Sequence, residues 1–370
     1  MSLSSEDQLR IQVMLHNSPK AVRIDENRMV LYAWTPNGEA SIPLSPNLPN
    51  EQYLRLLREL LSEHVLGSAG GYPLYLKRWS RMGLSGDQQL EAFLLLGEPE
   101  AVVAVASSPG LTTELARLVW WAVSNTAQQA EQGLQMLHRS CVVEDALGRE
   151  IAQFLMEFLP FEADPEAVLS ILSAVLQEGL LGSEQVERIW QRSQERGKGI
   201  YQVAFLQARP LALPESAAAH TDLEAWQQQL QPLRNNPLAL LLLQLGSSGG
   251  QAFLQQSIRL LDTASNEISV YALMNAIGSL FAVLDLPLES ENLLEEEVSE
   301  KLLEQENCSA LLEQTPALRP QVEAMLLLSQ VRQEITFKKI LHSGSVGRSL
   351  RKKLKPEFDL IRTHLQRLQP

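Results

Sequence analysis

From about residue 84 onward, Gly, Pro, Ser and Asp breakers recur every 10–17 residues between Leu-rich segments. This spacing constrains the chain more than any other feature. Each segment is long enough for three or four helical turns and too short for a coiled coil. Leu is abundant, while Val, Ile and Tyr are sparse beyond the first 50 residues. Straight or γ-branched side chains lose little rotamer freedom in a helix. The sequence therefore predicts a mainly α fold: an irregular α-solenoid-like stack of helix pairs behind a small N-terminal unit containing a β-meander.

The N-terminal unit breaks the pattern. Residues 4–16 read as a short helix capped by Ser5, with Leu9, Val13 and Leu15 as apolar positions. Ala21–Asp25 and Met29–Trp34 hold most of the β-formers and partly alternate. Thr35-Pro36-Asn37-Gly38 is a turn, and Glu39–Leu44 is a third strand that Pro43 marks as an edge. Asn50 is expected to cap a helix carrying Tyr53, Leu54, Leu57, Leu60, Leu61 and Val65 on one stripe. The glycine loop at 67–71 follows a helix and lacks the Lys-Ser/Thr ending of a phosphate-binding loop, so it reads as a connector.

An internal echo suggests duplication. Glu98-Pro99-Glu100-Ala101-Val102 returns as Asp164-Pro165-Glu166-Ala167-Val168, with an acid at the cap and Pro at the first helical position. Thr113–Trp120 returns as Ser183–Trp190, with cap, acid and Trp in the same places and the Arg shifted by one residue. Residues 98–139 and 164–205 thus form a candidate duplicated block, repeated at an offset of 66 to 70 residues, about two helix pairs. The expected organisation is an α+β unit over 1–83, a helical-repeat region over 84–210 and a C-terminal helical region over 211–370.

Net charge is −13, unevenly spread. Residues 331–370 carry ten Lys/Arg and three Asp/Glu. The rest of the chain is therefore strongly acidic, which argues against bulk nucleic-acid binding. Glu289–Glu306 holds eight Glu and one Lys and reads as a solvated helix face or a partner for the basic tail. The tail cluster is Lys338, Lys339, Arg348, Arg351, Lys352, Lys353 and Lys355. Its apolar residues Val346, Leu350, Leu354, Phe358, Ile361, Leu365 and Leu368 recur at spacings of three and four, so the tail should pack. A shorter basic cluster is Lys77, Arg78, Trp79 and Arg81. These two clusters are the candidate partner contacts.

No catalytic, cofactor-binding or metal-ligating residue is nominated. The six histidines are isolated, without His-x-x-x-His or Glu-x-x-His spacing. Gly-x-Ser-x-Gly, Gly-x-Gly-x-x-Gly and Cys-x-x-Cys are all missing from the sequence. Cys141 and Cys308 are far apart and read as reduced, mostly buried thiols. The first residues carry no basic or apolar leader, and the longest apolar run, Leu238–Leu243, does not reach bilayer length. The expectation is a cytoplasmic chain without a membrane span. Trp120-Trp121 is a further signal: adjacent helical positions lie about 100° apart, so both indoles cannot face one core. One belongs in the core; the other belongs at a helix–helix contact or on a binding surface.

Lys20–Glu26, Gly70–Gly83 and Leu94–Val105 resemble the DsrS family, cytoplasmic proteins encoded with the reverse dissimilatory sulfite reductase genes of sulfur-oxidising bacteria. The likeness is strongest over residues 1–125 and continues through Phe154–Glu162. Little matches beyond about residue 210. The resemblance implies an accessory or regulatory role in oxidising stored sulfur, with a protein of that machinery as partner. It brings no catalytic or cofactor residue with it. The alternative is a post-transcriptional regulator that contacts RNA through the basic tail, and the third reading is an enzyme whose site is assembled from distant residues.

Overall fold

Among the described residues, strands form within the N-terminal stretch that holds most of the β-formers. In the computed structural model β1 is Ala21–Asp25, β2 is Val30–Thr35 and β3 is Gly38–Pro43, joined as an antiparallel meander in the order β1-β2-β3. β3, with Pro43 at its end, is an edge as expected. Among the described residues the remaining regular structure is helical, and the fold is mainly α with one small sheet. The structure describes residues 3–67, 87–123, 125–195, 199–263, 266–283, 303, 305–331 and 347–370. Lys77, Arg78, Trp79, Arg81, Lys338, Lys339 and most of the acidic stretch lie outside the described residues.

The chain divides into two compact units, Met1–Pro160 and Phe161–Pro370. That division falls inside the helical-repeat region expected over 84–210.

In the first unit, α1 (Ser5–His16) and α2 (Asn50–Leu66) flank the meander in sequence. Val22, Ile24, Leu31, Ala33 and Ile42 from the sheet meet Ile11, Met14, Tyr53, Leu57 and Leu61 in one core. Two helix starts differ from expectation by one residue. Ser4, not Ser5, caps α1, its hydroxyl accepting from the Asp7 amide at 3.2 Å. Pro49, not Asn50, precedes α2 and supplies no side-chain cap. Leu9 and Val13 are exposed; Ile11, Met14 and Leu15 face the core instead. A buried polar latch holds α1 to α2. The Tyr53 hydroxyl donates to Asp7 Oδ2 at 2.5 Å and the Ser45 amide donates to the same oxygen at 3.0 Å. Burial pushes the Asp7 carboxyl upward, but these bonds and the one with Ser4 outweigh it and hold the carboxyl below its usual value.

Five further helices complete the part of this unit that matters below: α3 (Asp87–Phe93), α4 (Pro99–Ser107), α5 (Thr113–Ala122), α6 (Thr126–Met136) and α7 (Ser140–Val143). They are followed by α8 (Ala146–Phe158). α4 packs on α5 and α6, and α6 packs on α8. Gly133 permits the last approach: a Cβ there would lie 2.9 Å from Ile151 Cγ2 and 3.1 Å from Trp120 Cζ3.

The second unit begins with α9 (Pro165–Val175), α10 (Ser183–Ser193) and α11 (Gly199–Ala208). The echo segments thus start helices in both places. Asp164 caps α9 through the Ala167 amide at 3.2 Å, whereas Glu98 makes no such bond to α4. The cap before α5 is Thr112 and that before α10 is Gly182, so Thr113 and Ser183 are first helical residues rather than caps. Trp120 and Trp190 are both buried and meet Phe154 and Phe205 edge-on.

Next come α12 (Leu223–Gln229), α13 (Pro237–Gly246), α14 (Ser248–Thr263) and α15 (Glu267–Phe281). The Leu238–Leu243 run sits in α13, with Leu238, Leu241 and Leu242 buried in the unit's core. Among the described residues no single helix is long and apolar enough to cross a membrane. α14 begins earlier than the breaker pattern implies, because Gly249 and Gly250 lie inside it. Their missing side chains allow close backbone approach: a Cβ would sit 2.1 Å from the Leu211 carbonyl oxygen and 2.3 Å from that of Gln244. α15 packs on α11, far earlier in sequence, and also on α17 (Arg319–Ser329), which follows α16 (Glu306–Gln314).

The tail forms α18 (Gly347–Lys353) and α19 (Lys355–Gln366); the break falls at Leu354, and Pro356 sits in the first turn of α19, where its missing N–H is tolerated. Leu350, Leu354, Phe358, Ile361, Leu365 and Leu368 all enter the core. α19 packs on α14 and α17. Gln251 on α14 donates to the Leu368 carbonyl at 3.0 Å and the Leu245 carbonyl at 2.9 Å.

His364 on α19 is buried, and neither ring nitrogen has a hydrogen-bond partner. Burial, then Arg367, push its pKa down to about 4, opposed by Glu323. The folded value lies below the ordinary 6.5, so stability is intact above 6.5. As pH falls from there, the unfolded chain binds a proton that the folded chain refuses, and stability drops until about pH 4. Urea unfolding should show His364 costing about 2 kcal/mol between neutral pH and about pH 5. The His364→Leu chain should lack that component; an unchanged pH dependence in the variant would contradict the assignment.

Candidate functional site

Alternation along β1 turns Val22 and Ile24 into the core and leaves Arg23 and Asp25 on the opposite face. The register places Arg23 directly across from Tyr32, Tyr32 across from Ser41, and Trp34 across from Glu39. Arg23, Tyr32, Trp34 and Glu39 therefore share one face of the sheet.

The end of α5 comes down on this face. Trp120 turns inward, its ring edge-on to Phe154 at 5.3 Å, and its indole N–H donates to Glu150 Oε1 at 2.8 Å. Trp121, one residue on, turns to the sheet. Its indole N–H donates to Glu39 Oε2 at 2.6 Å, and its ring meets Trp34 at 5.6 Å between centroids and 61° between planes. The Arg23 guanidinium lies 4.7 Å from the Tyr32 ring centroid and 5.0 Å from that of Trp121. Its Nη1 donates to the Trp121 carbonyl at 3.4 Å and its Nη2 to Glu39 Oε2 at 3.5 Å. The two indoles split as helical geometry requires, one into the core, but the other meets the sheet and not a second helix.

Beside this cluster opens a cleft of about 870 Å³. Its walls are Arg23 and Asp25 of β1, Asn27 and Arg28 of the following turn, Tyr32 of β2, Arg117, Trp120 and Trp121 of α5, and Glu150 of α8. A smaller cavity of about 390 Å³ shares Arg23, Asp25, Asn27 and Val123 with it. Arg117 reaches both Asp145 oxygens at 2.9 Å. The hydrogen bond from the Leu147 amide, followed by Arg117, holds the Asp145 carboxyl below its usual value against desolvation. Arg58 bonds Glu26 and donates to the Gly97 carbonyl at 3.3 Å, fixing one wall of the smaller cavity. The lining offers ring faces, guanidinium N–H groups and carboxylates, the equipment of a polar binding surface.

The described members of the expected contact clusters do not line either cavity. Of the tail cluster, Lys352, Lys353 and Lys355 are exposed, and Arg351 is half-buried with Nη1 3.5 Å from the Thr263 carbonyl. Arg348 lies in α18, and its side chain is outside the described residues. The tail's anchoring also uses charge, since Arg362 bonds Asp262 at 2.5 Å and Asp359 at 3.0 Å. Both cysteines are free thiols. Cys308 is buried, which pushes its thiol up to about 11; Cys141 is half-buried and donates to the Leu111 carbonyl at 3.3 Å. Among the described residues no group of three or more His, Cys, Asp or Glu is placed to hold a metal ion.

Sequence reading missed Arg23, Tyr32, Trp34 and Glu39. The available signal was the polar phase of β1 and the second indole of Trp120-Trp121. A double-mutant cycle on Arg23→Met and Trp121→Leu should return a coupling of about 0.5–1 kcal/mol in urea unfolding. A coupling indistinguishable from zero would remove the guanidinium–indole contact from the account.

Compared with family models, with curated proteins and with solved structures, the chain matches none.

Proposed function

We propose that this chain is a cytoplasmic, non-catalytic accessory or regulatory protein of dissimilatory sulfur oxidation that holds a protein partner through the aromatic face of its first unit. The sulfur context rests on the resemblance carried by Lys20–Glu26, Gly70–Gly83 and Leu94–Val105. The binding role rests on one observation. Trp34 stands 38% exposed on the sheet face, edge-on to Trp121, beside the Arg23 guanidinium and Tyr32.

Trp, Tyr and Arg are the residues that dominate binding energy at protein interfaces. An indole left in water gains little folding stability for the apolar area it exposes. Trp34 is therefore better explained by a partner than by the fold. Exposed Lys352, Lys353 and Lys355 favour the RNA reading, but among the described residues of the tail the aromatic beside them, Phe358, is buried.

The test is retention from a sulfur-oxidising host on the immobilised full chain, read by mass spectrometry. The wild-type chain should retain a protein of the sulfur-oxidation machinery, and Trp34→Ala should weaken that retention by about 30-fold, the loss of one interface hot spot. Identical retention by both chains would reject the aromatic face as the contact; retention of RNA alone would favour the regulator of transcripts.

A further inference from the structure

We infer that the cleft beside the aromatic face takes an acidic polypeptide segment of the partner. This rests on the protein-binding reading above and adds the chemistry of what is bound. The argument is one of charge placement. Arg28 and Arg117 are 78% and 58% exposed, whereas their carboxylate partners Asp25 and Asp145 are only 25% and 24% exposed. The guanidinium groups therefore face solvent and the carboxylates are tucked behind them.

The pairing leaves donors in hand. Arg28 meets Asp25 through Nε at a loose 3.9 Å, and Arg117 meets Asp145 through Nη2 alone at 2.9 Å. A guanidinium carries five N–H donors, so both have capacity for a further carboxylate. In a chain of net charge −13, this rim presents cations to a visitor. The indole N–H groups of Trp120 and Trp121 already donate to Glu150 and Glu39, so the rings offer faces and edges for the apolar parts of a peptide.

A polynucleotide fits less well. Glu39, Asp25 and Glu150 lie within the same small area and would repel an unbroken run of phosphates. A polypeptide places its carboxylates singly, at side-chain length, and can meet Arg28 and Arg117 while avoiding the carboxylates.

The probe is a short peptide carrying single glutamates separated by glycine and serine, titrated into the full chain and followed by calorimetry, with the same peptide bearing lysines and an oligouridylate as comparisons. The glutamate peptide should bind, and binding should weaken as salt rises. Arg28→Gln should weaken it by about threefold to tenfold, chiefly through the association rate and with a flatter salt response, as for a rim charge. Arg28 is exposed, so this variant retains its fold, and urea unfolding checks that. A tail variant, Lys352→Gln with Lys353→Gln and Lys355→Gln, should bind as the wild type does. No binding of the glutamate peptide, equal binding by Arg28→Gln, loss in the tail variant, or preference for oligouridylate would each overturn the inference. If Trp34→Ala abolishes partner retention while Arg28→Gln does not, the aromatic face stands and the acidic segment falls. If neither variant changes retention, the protein-binding reading falls with it.

Discussion

The period-two alternation of β1 is the constraint on which the first unit depends. With Val22 and Ile24 turned into the core, Arg23 has no choice of face. A slip of one residue would bury a guanidinium and expose two aliphatic side chains. Burying an unpaired charge costs far more than the slip could recover, so the register is held firmly. The same alternation in β2 and β3 gathers Tyr32, Trp34 and Glu39 beside Arg23. Core and candidate site are thus two faces of one decision.

The second periodicity is helical. Because Trp120 and Trp121 lie about 100° apart around α5, burying the first presents the second to the sheet. Trp120 does the structural work with Phe154, Glu150 and the notch left by Gly133. Trp121 joins Arg23, Glu39 and Trp34. Contacts of the guanidinium with ring faces contribute roughly 0.5–1 kcal/mol each at such exposure. That is enough to fix the geometry of the cluster.

Much of the fold was legible in the sequence because its signals are local. Pro99, Pro165 and Pro237 each open a helix, Gly67 ends one in the left-handed region with φ 64°, and the alternation over 21–43 marks the meander. The tail's three-and-four spacing correctly placed six side chains in the core. Errors arose where a tertiary neighbour overrode the local signal. Gly249 and Gly250 look like breakers, yet they serve backbone approach by Leu211 and Gln244 inside a helix. Leu9 and Val13 look like a buried stripe, but the sheet and α2 meet the other side of α1. The candidate site was least legible of all. Arg23 and Trp121 are separated by 98 residues, and nothing in either segment announces the other.

The most direct measurement is site-specific photo-crosslinking in a sulfur-oxidising host. A photoreactive side chain at position 34 should give a defined adduct with one protein of the sulfur-oxidation machinery. The same group at Leu9 or Val13, exposed apolar positions of the same unit away from the aromatic face, should give none. No adduct from position 34, or the same adducts from all three positions, would contradict the account.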